Sequence, residues 1–197
     1  ITNIELDHVD YYKDMEDYCD AFEAFANQIQ KGVVLFGDDA AVRSLHVKTE
    51  HLYYGLKDHN DVQAVHVKQH EDGMQFDVLY RKKLFAHFDL PFVGKPLLWN
   101  SLGVIAIGIM EGLSGELLQE GLQSFPGVKR RFTIEENGDN VYIDDYAHHP
   151  TAVKYMIEAA RIKYPGKKVI ALFKPDRYSR IYYFMDRFAE ELNQADE

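Results

Sequence analysis

The stretch Asp144-Asp145-Tyr146-Ala147-His148-His149-Pro150 places two carboxylates at the end of an apolar alternation and two histidines before a proline. Proline suits the first turn of a helix. Carboxylates at a strand end can hold a ribose hydroxyl or a metal ion, and the free N–H groups of a helix start favour an anion. Ordinary capping with solvated histidines is the plainer alternative. A second group, Asp176-Arg177-Tyr178-Ser179-Arg180, follows another apolar run. Arg177 and Arg180 share a face once a helix has begun, and guanidinium groups suit a carboxylate or phosphate partner. The same residues also read as a solvated charged turn. Asn3, Asp7 and His8 sit where a first strand ends, the place where open α/β sheets bind ligands. An imidazole there can ligate a divalent cation with a nearby carboxylate orienting it, or His8 is a solvated turn residue. Lys129-Arg130-Arg131 is either a basic linker or a phosphate clamp.

Other chemistries lack their residues. A Walker A loop ending at Gly94-Lys95 needs glycine where Asp89 stands, and one ending at Gly166-Lys167 needs it where Arg161 stands. No GxGxxG is present. His66 and His70 have helical ligand spacing, but their segment alternates like a strand, where four residues span roughly 13 Å. Cys19, the one cysteine, falls mid-helix without His or Asp companions and reads as packing. That count excludes a disulfide framework and a Cys-rich zinc module, and it fits a reducing, cytoplasmic setting.

Several elements must position these residues. Residues 1–4 read as the end of a strand. Asp14 can cap a helix over 15–30, with Phe22, Phe25 and Ala26 on its apolar face and Gly32 as its stop. Residues 33–36 form a short buried strand before the turn Gly37-Asp38-Asp39, and strand-then-helix alternation is the pattern of a parallel sheet. Residues 61–70, 74–81 and 83–90 alternate apolar and polar positions, with Asp72-Gly73 as a turn, and read as an antiparallel β insert. Helical periodicity returns over 97–111, and Ser114 can cap a further helix to about 124. Pro126-Gly127 marks a boundary. Beyond it come a hairpin over 131–145 turning at Asn137-Gly138-Asp139, a helix from Pro150, a buried strand over 168–173 and a closing helix over 178–192.

The 197 residues carry a net charge of −10, with 46% apolar and 27% charged residues. That balance is globular rather than disordered, and its acidity opposes general nucleic-acid binding. The longest apolar stretch, 102–110, is far below the ~20 residues that span a bilayer, so no membrane partner is expected. The chain opens on Ile1 inside a strand pattern and stops at Glu197 directly after a helical one, so a piece of a longer protein is expected.

Taken together, the motifs resemble those of the Mur ligases of bacterial peptidoglycan synthesis. They are Ile1-Thr2-Asn3-Ile4-Glu5-Leu6-Asp7-His8-Val9-Asp10, Phe36-Gly37-Asp38-Asp39 and Gly127-Val128-Lys129-Arg130-Arg131-Phe132. Asp144-Asp145-Tyr146-Ala147-His148-His149-Pro150-Thr151 and Arg177-Tyr178-Ser179-Arg180 complete the set and are similar to the alanine-adding branch. The resemblance implies an α/β fold: residues 1–124 as the later part of a central ATPase domain with its antiparallel insert, and 125–197 as the first part of a Rossmann-like C-terminal domain. It also implies that the phosphate-cradling loop precedes Ile1. The implied reaction joins L-alanine to UDP-N-acetylmuramate through an acyl phosphate, using ATP and magnesium.

By the same resemblance His8 is a magnesium ligand, and Asn3 belongs to the same strand-end motif. Asn100 lies beside adenine, Arg131 contacts ATP phosphate, and Asp145 contacts the nucleotide from the C-terminal domain. Tyr146, His148, Arg177 and Arg180 form the L-alanine end, with the arginines taking its carboxylate. Phe22 stands where some Mur ligases carry a carbamylated lysine. Departures are Pro96-Leu97 in place of a usual His-Asn pair, Asp176 in place of a usual histidine, Lys174 where glutamine is common, and Ala152 in place of a frequent glutamate. Ala152 is more like the related ligase that reattaches recycled tripeptide to UDP-N-acetylmuramate. A non-catalytic binding relative, with Pro96, Leu97 and Asp176 marking decay, is the alternative of another class.

Overall fold

The computed structural model describes residues 1–197. Its main body is one five-stranded sheet in the order β1-β2-β3-β4-β5. Strands β1 (Val33–Phe36), β2 (His51–Gly55) and β3 (Val62–His70) pair in parallel. Strands β3, β4 (Gly73–Tyr80) and β5 (Lys83–Leu90) then form an antiparallel meander. The expected insert is thus no separate body: β3 belongs to both halves of the sheet. Ile1 runs in parallel along the free side of β1, donating to Val34 O at 2.8 Å and accepting from Phe36 N at 2.9 Å. That places the end of residues 1–4 at the carboxyl end of the sheet.

Helix α1 (Met15–Gln28) opens where Asp14 accepts the Asp17 N–H at 3.0 Å. Its packed face is Met15, Tyr18, Cys19, Phe22 and Ala26, following three- and four-residue steps. Phe25 is 56% exposed, which corrects its expected place in the core: it lies on the flank of that stripe. The helix also ends before Gly32, because Ile29 is already extended. Asp39 caps a short helix α2 (Ala40–Ser44), which periodicity did not disclose, by accepting the Val42 N–H at 2.9 Å. Helix α3 (Lys95–Met110) closes one face of the sheet. Tyr54, Phe76, Phe88, Leu98, Leu102 and Ile105 form the centre of the largest core, all at most 1% exposed. Burial of each such side chain stabilises by about 1.5–3 kcal/mol. Ser114 caps α4 (Gly115–Gln123), which packs along β5.

A second body follows the linker. Strands β6 (Thr133–Asn137) and β7 (Asn140–Asp144) pair only with each other. Their two-residue turn is Gly138-Asp139, within the expected turn at 137–139, with Gly138 at φ 60°. Helices α5 (Pro150–Lys163) and α6 (Tyr178–Leu192) pack through Val153, Ile157, Phe184 and Phe188. The expected buried strand over 168–173 is corrected: the segment is irregular, and Leu172 is 94% exposed. A strand requires a ladder, and here the backbone of the segment bonds to the chain's last residues, as where Ala171 N donates to Glu197 O, while Phe173 packs on Phe188. No helix is long and apolar enough to cross a membrane.

Candidate functional site

Between the two bodies lies an open cleft of ≈ 2020 Å³. Its walls are the extended segment after Ile1, helices α3 and α4, the linker and the start of α5. Extended backbone alternates its side chains, and Asn3, Glu5 and Asp7 accordingly all line the cleft. Asn100 joins them from α3, and Arg131 and Asp145 from the linker and the end of β7. Asn3, Asn100, Arg131 and Asp145 therefore meet in one space although they come from distant parts of the sequence. Pro96 and Leu97 line the same wall and bring no polar group to it.

Asp145 is fixed by the Phe132 N–H, which donates to its carboxylate at 2.9 Å. Burial pushes its carboxyl above the usual range, with that hydrogen bond and the nearby Arg131 charge pulling the other way. Arg130 and Arg131 both approach the Tyr146 ring, at 4.9 and 5.8 Å from its centroid. Tyr146 packs edge-on against His148, whose Nδ1 lies 2.7 Å from Tyr146 O. These two residues form a small exposed platform beside the cleft rather than part of its lining.

The Asp7-His8 turn is a second centre. His8 adopts φ 52°, a left-handed conformation that histidine visits more readily than most residues. Asp7 closes the turn by accepting the His8 N–H at 2.8 Å. Its two carboxylate oxygens also accept from Arg180 Nε and Nη2 at 2.8 and 3.1 Å. Burial raises the Asp7 carboxyl, but the Arg180 fork and the His8 N–H outweigh it and leave the group below the usual carboxylate range. The exposed His8 ring turns Nδ1 towards Arg177 Nη1 at 3.4 Å, and that guanidinium lies 3.6 Å from Asp10. His8 Nε2 is the ring nitrogen left for a cation. No three His, Cys, Asp or Glu side chains converge into a cage. His8 is not among the residues that line the cleft, and a single imidazole nitrogen is not the oxygen donor set that magnesium prefers.

Sequence reasoning missed the seam between the bodies. Glu5 accepts the Thr151 hydroxyl at 2.5 Å and faces His149 and Arg187 at 3.6 and 3.9 Å. Arg187 also donates to Thr151 Oγ1 at 3.1 Å. Of the two adjacent histidines, His149 is the enclosed one. Its Nε2 is buried without a partner, and its ring meets Phe184 edge-on. Burial lowers its proton affinity, opposed by the charges of Glu5 and Asp7. The readable signal for Glu5 was its two-residue spacing between Asn3 and Asp7. For His149 it was the position directly before Pro150.

Comparison with known proteins follows the same division. Residues 1–108 match the Mur ligase middle domain, and residues 130–197 match the Mur ligase glutamate ligase domain. Over 196 residues the chain is 43% identical to the UDP-N-acetylmuramate–L-alanine ligase of Lactiplantibacillus plantarum, covering 100% of this chain and 45% of that protein. The UDP-N-acetylmuramate–alanine ligase MurC of Thermotoga maritima superposes with a TM-score of 0.81 at 26% identity, over 100% of this chain and 44% of that one. MurF from Thermotoga maritima in complex with ADP shares the fold, with a TM-score of 0.74 at 20% identity over 94% of this chain and 44% of that one. The chain thus spans less than half the length of the curated relatives it matches.

Proposed function

The chain belongs to the Mur ligase family, and from that premise we propose that its parent protein joins L-alanine to UDP-N-acetylmuramate at the expense of ATP. The observation that carries this reading is the meeting of Asn3, Asn100, Arg131 and Asp145 in one cleft between two bodies. The 43% identity to a UDP-N-acetylmuramate–L-alanine ligase supports that branch of the family. The reading divides the chain into residues 1–124 and 125–197, with the join beside Gly127, whose φ of 83° favours glycine.

The residues divide the work by their chemistry. Arg131 presents an exposed guanidinium to a phosphate, a planar donor for anionic oxygens. Asp145, anchored by the Phe132 N–H, accepts a hydroxyl of the nucleotide. Asn3 and Asn100 supply amide groups from the extended segment and α3. Magnesium, when bound, would neutralise charge on the transferring phosphoryl group, and by the resemblance His8 would be one of its ligands, through the ring nitrogen that the turn leaves free. Tyr146, His148 and Arg177 are the amine end in this reading, with Arg177 beside the Asp7-His8 turn and exposed for the amino acid carboxylate. ATP and a UDP-sugar are both cytoplasmic reactants, in agreement with the single cysteine.

The test is ATP-dependent phosphate release by the parent protein with UDP-N-acetylmuramate, offering L-alanine or the tripeptide. Faster turnover with L-alanine is expected. Preference for the tripeptide would transfer the reading to the recycling ligase, which Ala152 on the cleft wall favours. No binding of ATP would leave a non-catalytic relative. The 197-residue chain alone is expected to show no turnover, because it holds no phosphate-cradling loop motif.

A further inference from the structure

Arg177 and Arg180 both sit at the start of α6, but the fold treats them differently. Arg177 is half exposed and turned to His8 and Asp10. Neither arginine lines the cleft, but the Arg180 side chain is only 4% exposed against 49% for Arg177. Its Nε and Nη2 form a fork onto Asp7, and Nη1 faces the Asp176 carbonyl at 3.5 Å and carboxylate at 3.8 Å. A planar guanidinium committed on both edges presents no free fork to an incoming carboxylate. Asp7 in turn holds the His8 N–H, so a continuous chain of contacts runs from α6 through Arg180 and Asp7 to the backbone of His8. Asp176, a departure from the family pattern, completes the enclosure by taking the third guanidinium nitrogen.

We propose that Arg180 is a positioning residue. It clamps Asp7 across the junction and so fixes the left-handed turn that presents His8, while the amino acid carboxylate is left to Arg177. This rests on the ligase reading given above. It reassigns a residue that the resemblance implied was a substrate contact, and it makes α6 the element that sets the geometry of the turn.

The experiment is steady-state kinetics on the parent protein carrying Arg180→Met, Arg180→Lys, Asp7→Asn, Arg177→Met, or Asp7→Asn with Arg180→Met. For R180M and D7N we expect kcat to fall about tenfold or more, with KM for L-alanine within about twofold of the unaltered protein. We also expect the magnesium concentration for half-maximal rate to rise at least about threefold, a shift that mere loss of folded enzyme does not produce. The double variant should be no worse than either single one, since both remove one clamp. R180K keeps charge without the fork and should fall between. R177M should instead raise KM for L-alanine about tenfold. A tenfold rise of that KM in R180M, with unchanged magnesium dependence, overturns the proposal.

If the parent uses tripeptide, the ligase branch is wrong, but the same variants are read with that amine. If it turns nothing over, the clamp is decided by NMR on the 197-residue chain. The Arg180 Nε–H should exchange with solvent far more slowly than that of Arg177 and lose this protection in D7N. Equal exchange of the two refutes it.

Discussion

Arg131→Ala removes the cation best placed in the cleft to meet a phosphate. Arg131 is exposed, and its guanidinium carbon lies 5.8 Å from the Tyr146 ring, so little of the fold depends on it. The change in stability should stay within about 0.5 kcal/mol, as for surface substitutions generally. A charged hydrogen bond contributes about 1.5–3 kcal/mol, and each 1.4 kcal/mol is about tenfold. The expected loss in kcat/KM for ATP is therefore about 10- to 150-fold in the parent protein, with an unchanged melting temperature. Arg131→Lys keeps charge without the planar fork and should recover part of the loss. A second signature follows from Asp145. Its carboxyl is already raised by burial, and the Arg131 charge is one of the influences holding it down. Without Arg131 it rises further, so activity that needs ionised Asp145 is lost at a higher pH on acidification. A kcat/KM for ATP within twofold of the unaltered protein, with the acid limb unmoved, would refute the phosphate role.

Three further outcomes test the fold around the site. Asp77 accepts from His66 and His87 Nδ1 at 2.8 and 2.9 Å, and these bonds hold its carboxyl below 3.8. Their stabilisation is complete above that value and is lost as pH falls through the lowered one. Asp77→Asn should therefore cost about 1 kcal/mol at pH 7 in urea unfolding, and the difference should close in strong acid. Gly37→Ala would set a Cβ 2.0 Å from Asn60 Oδ1 and 3.1 Å from Tyr53, in an already filled space. A loss of about 1–3 kcal/mol on thermal melting is expected. Trp99 packs between Phe36 and Tyr155, with Nε1 buried and unpartnered. Trp99→Phe removes that orphan donor along with some packing, so it should cost far less than the about 3–5 kcal/mol of Trp99→Ala.

What the sequence discloses is local. Asp14 and Ser114 announce their helices because a cap acts on backbone three residues away. The meander β3-β4-β5 is legible because one face of each strand is buried, so alternation survives in the residue order. The 168–173 run misleads because apolar content does not supply a pairing partner, and β6 and β7 pair with each other instead. Phe25 misleads in the same way, since hydrophobicity alone does not say where the packed stripe ends. At the site, Arg131 and Asp145 can be singled out from type and motif. The Arg180 fork cannot, because its partner Asp7 lies at the other end of the chain.

The distribution of charge in the cleft bears on the proposed binding of a polyphosphate by a chain of net charge −10. Five carboxylates line the cleft, those of Glu5, Asp7, Asp38, Asp39 and Asp145. Each has a donor of its own. Glu5 has Thr151, Asp7 has Arg180, and Asp38 has the Leu56 N–H and Asn60. Asp39 has the Val42 and Ile4 N–H groups, and Asp145 has that of Phe132. The cations lining the same cleft, Lys129, Arg131 and Lys163, take part in no ion pair, whereas Arg180 and Arg187, which do not line it, are placed against the lining carboxylates Asp7 and Glu5. An anion entering the cleft therefore meets unpaired cations and carboxylates whose charge is already partly met. The local field, not the net charge, sets what binds there. Breaking one pair in the seam would add an unmet carboxylate to this wall, so on the proposed reading the junction contacts should favour anion binding.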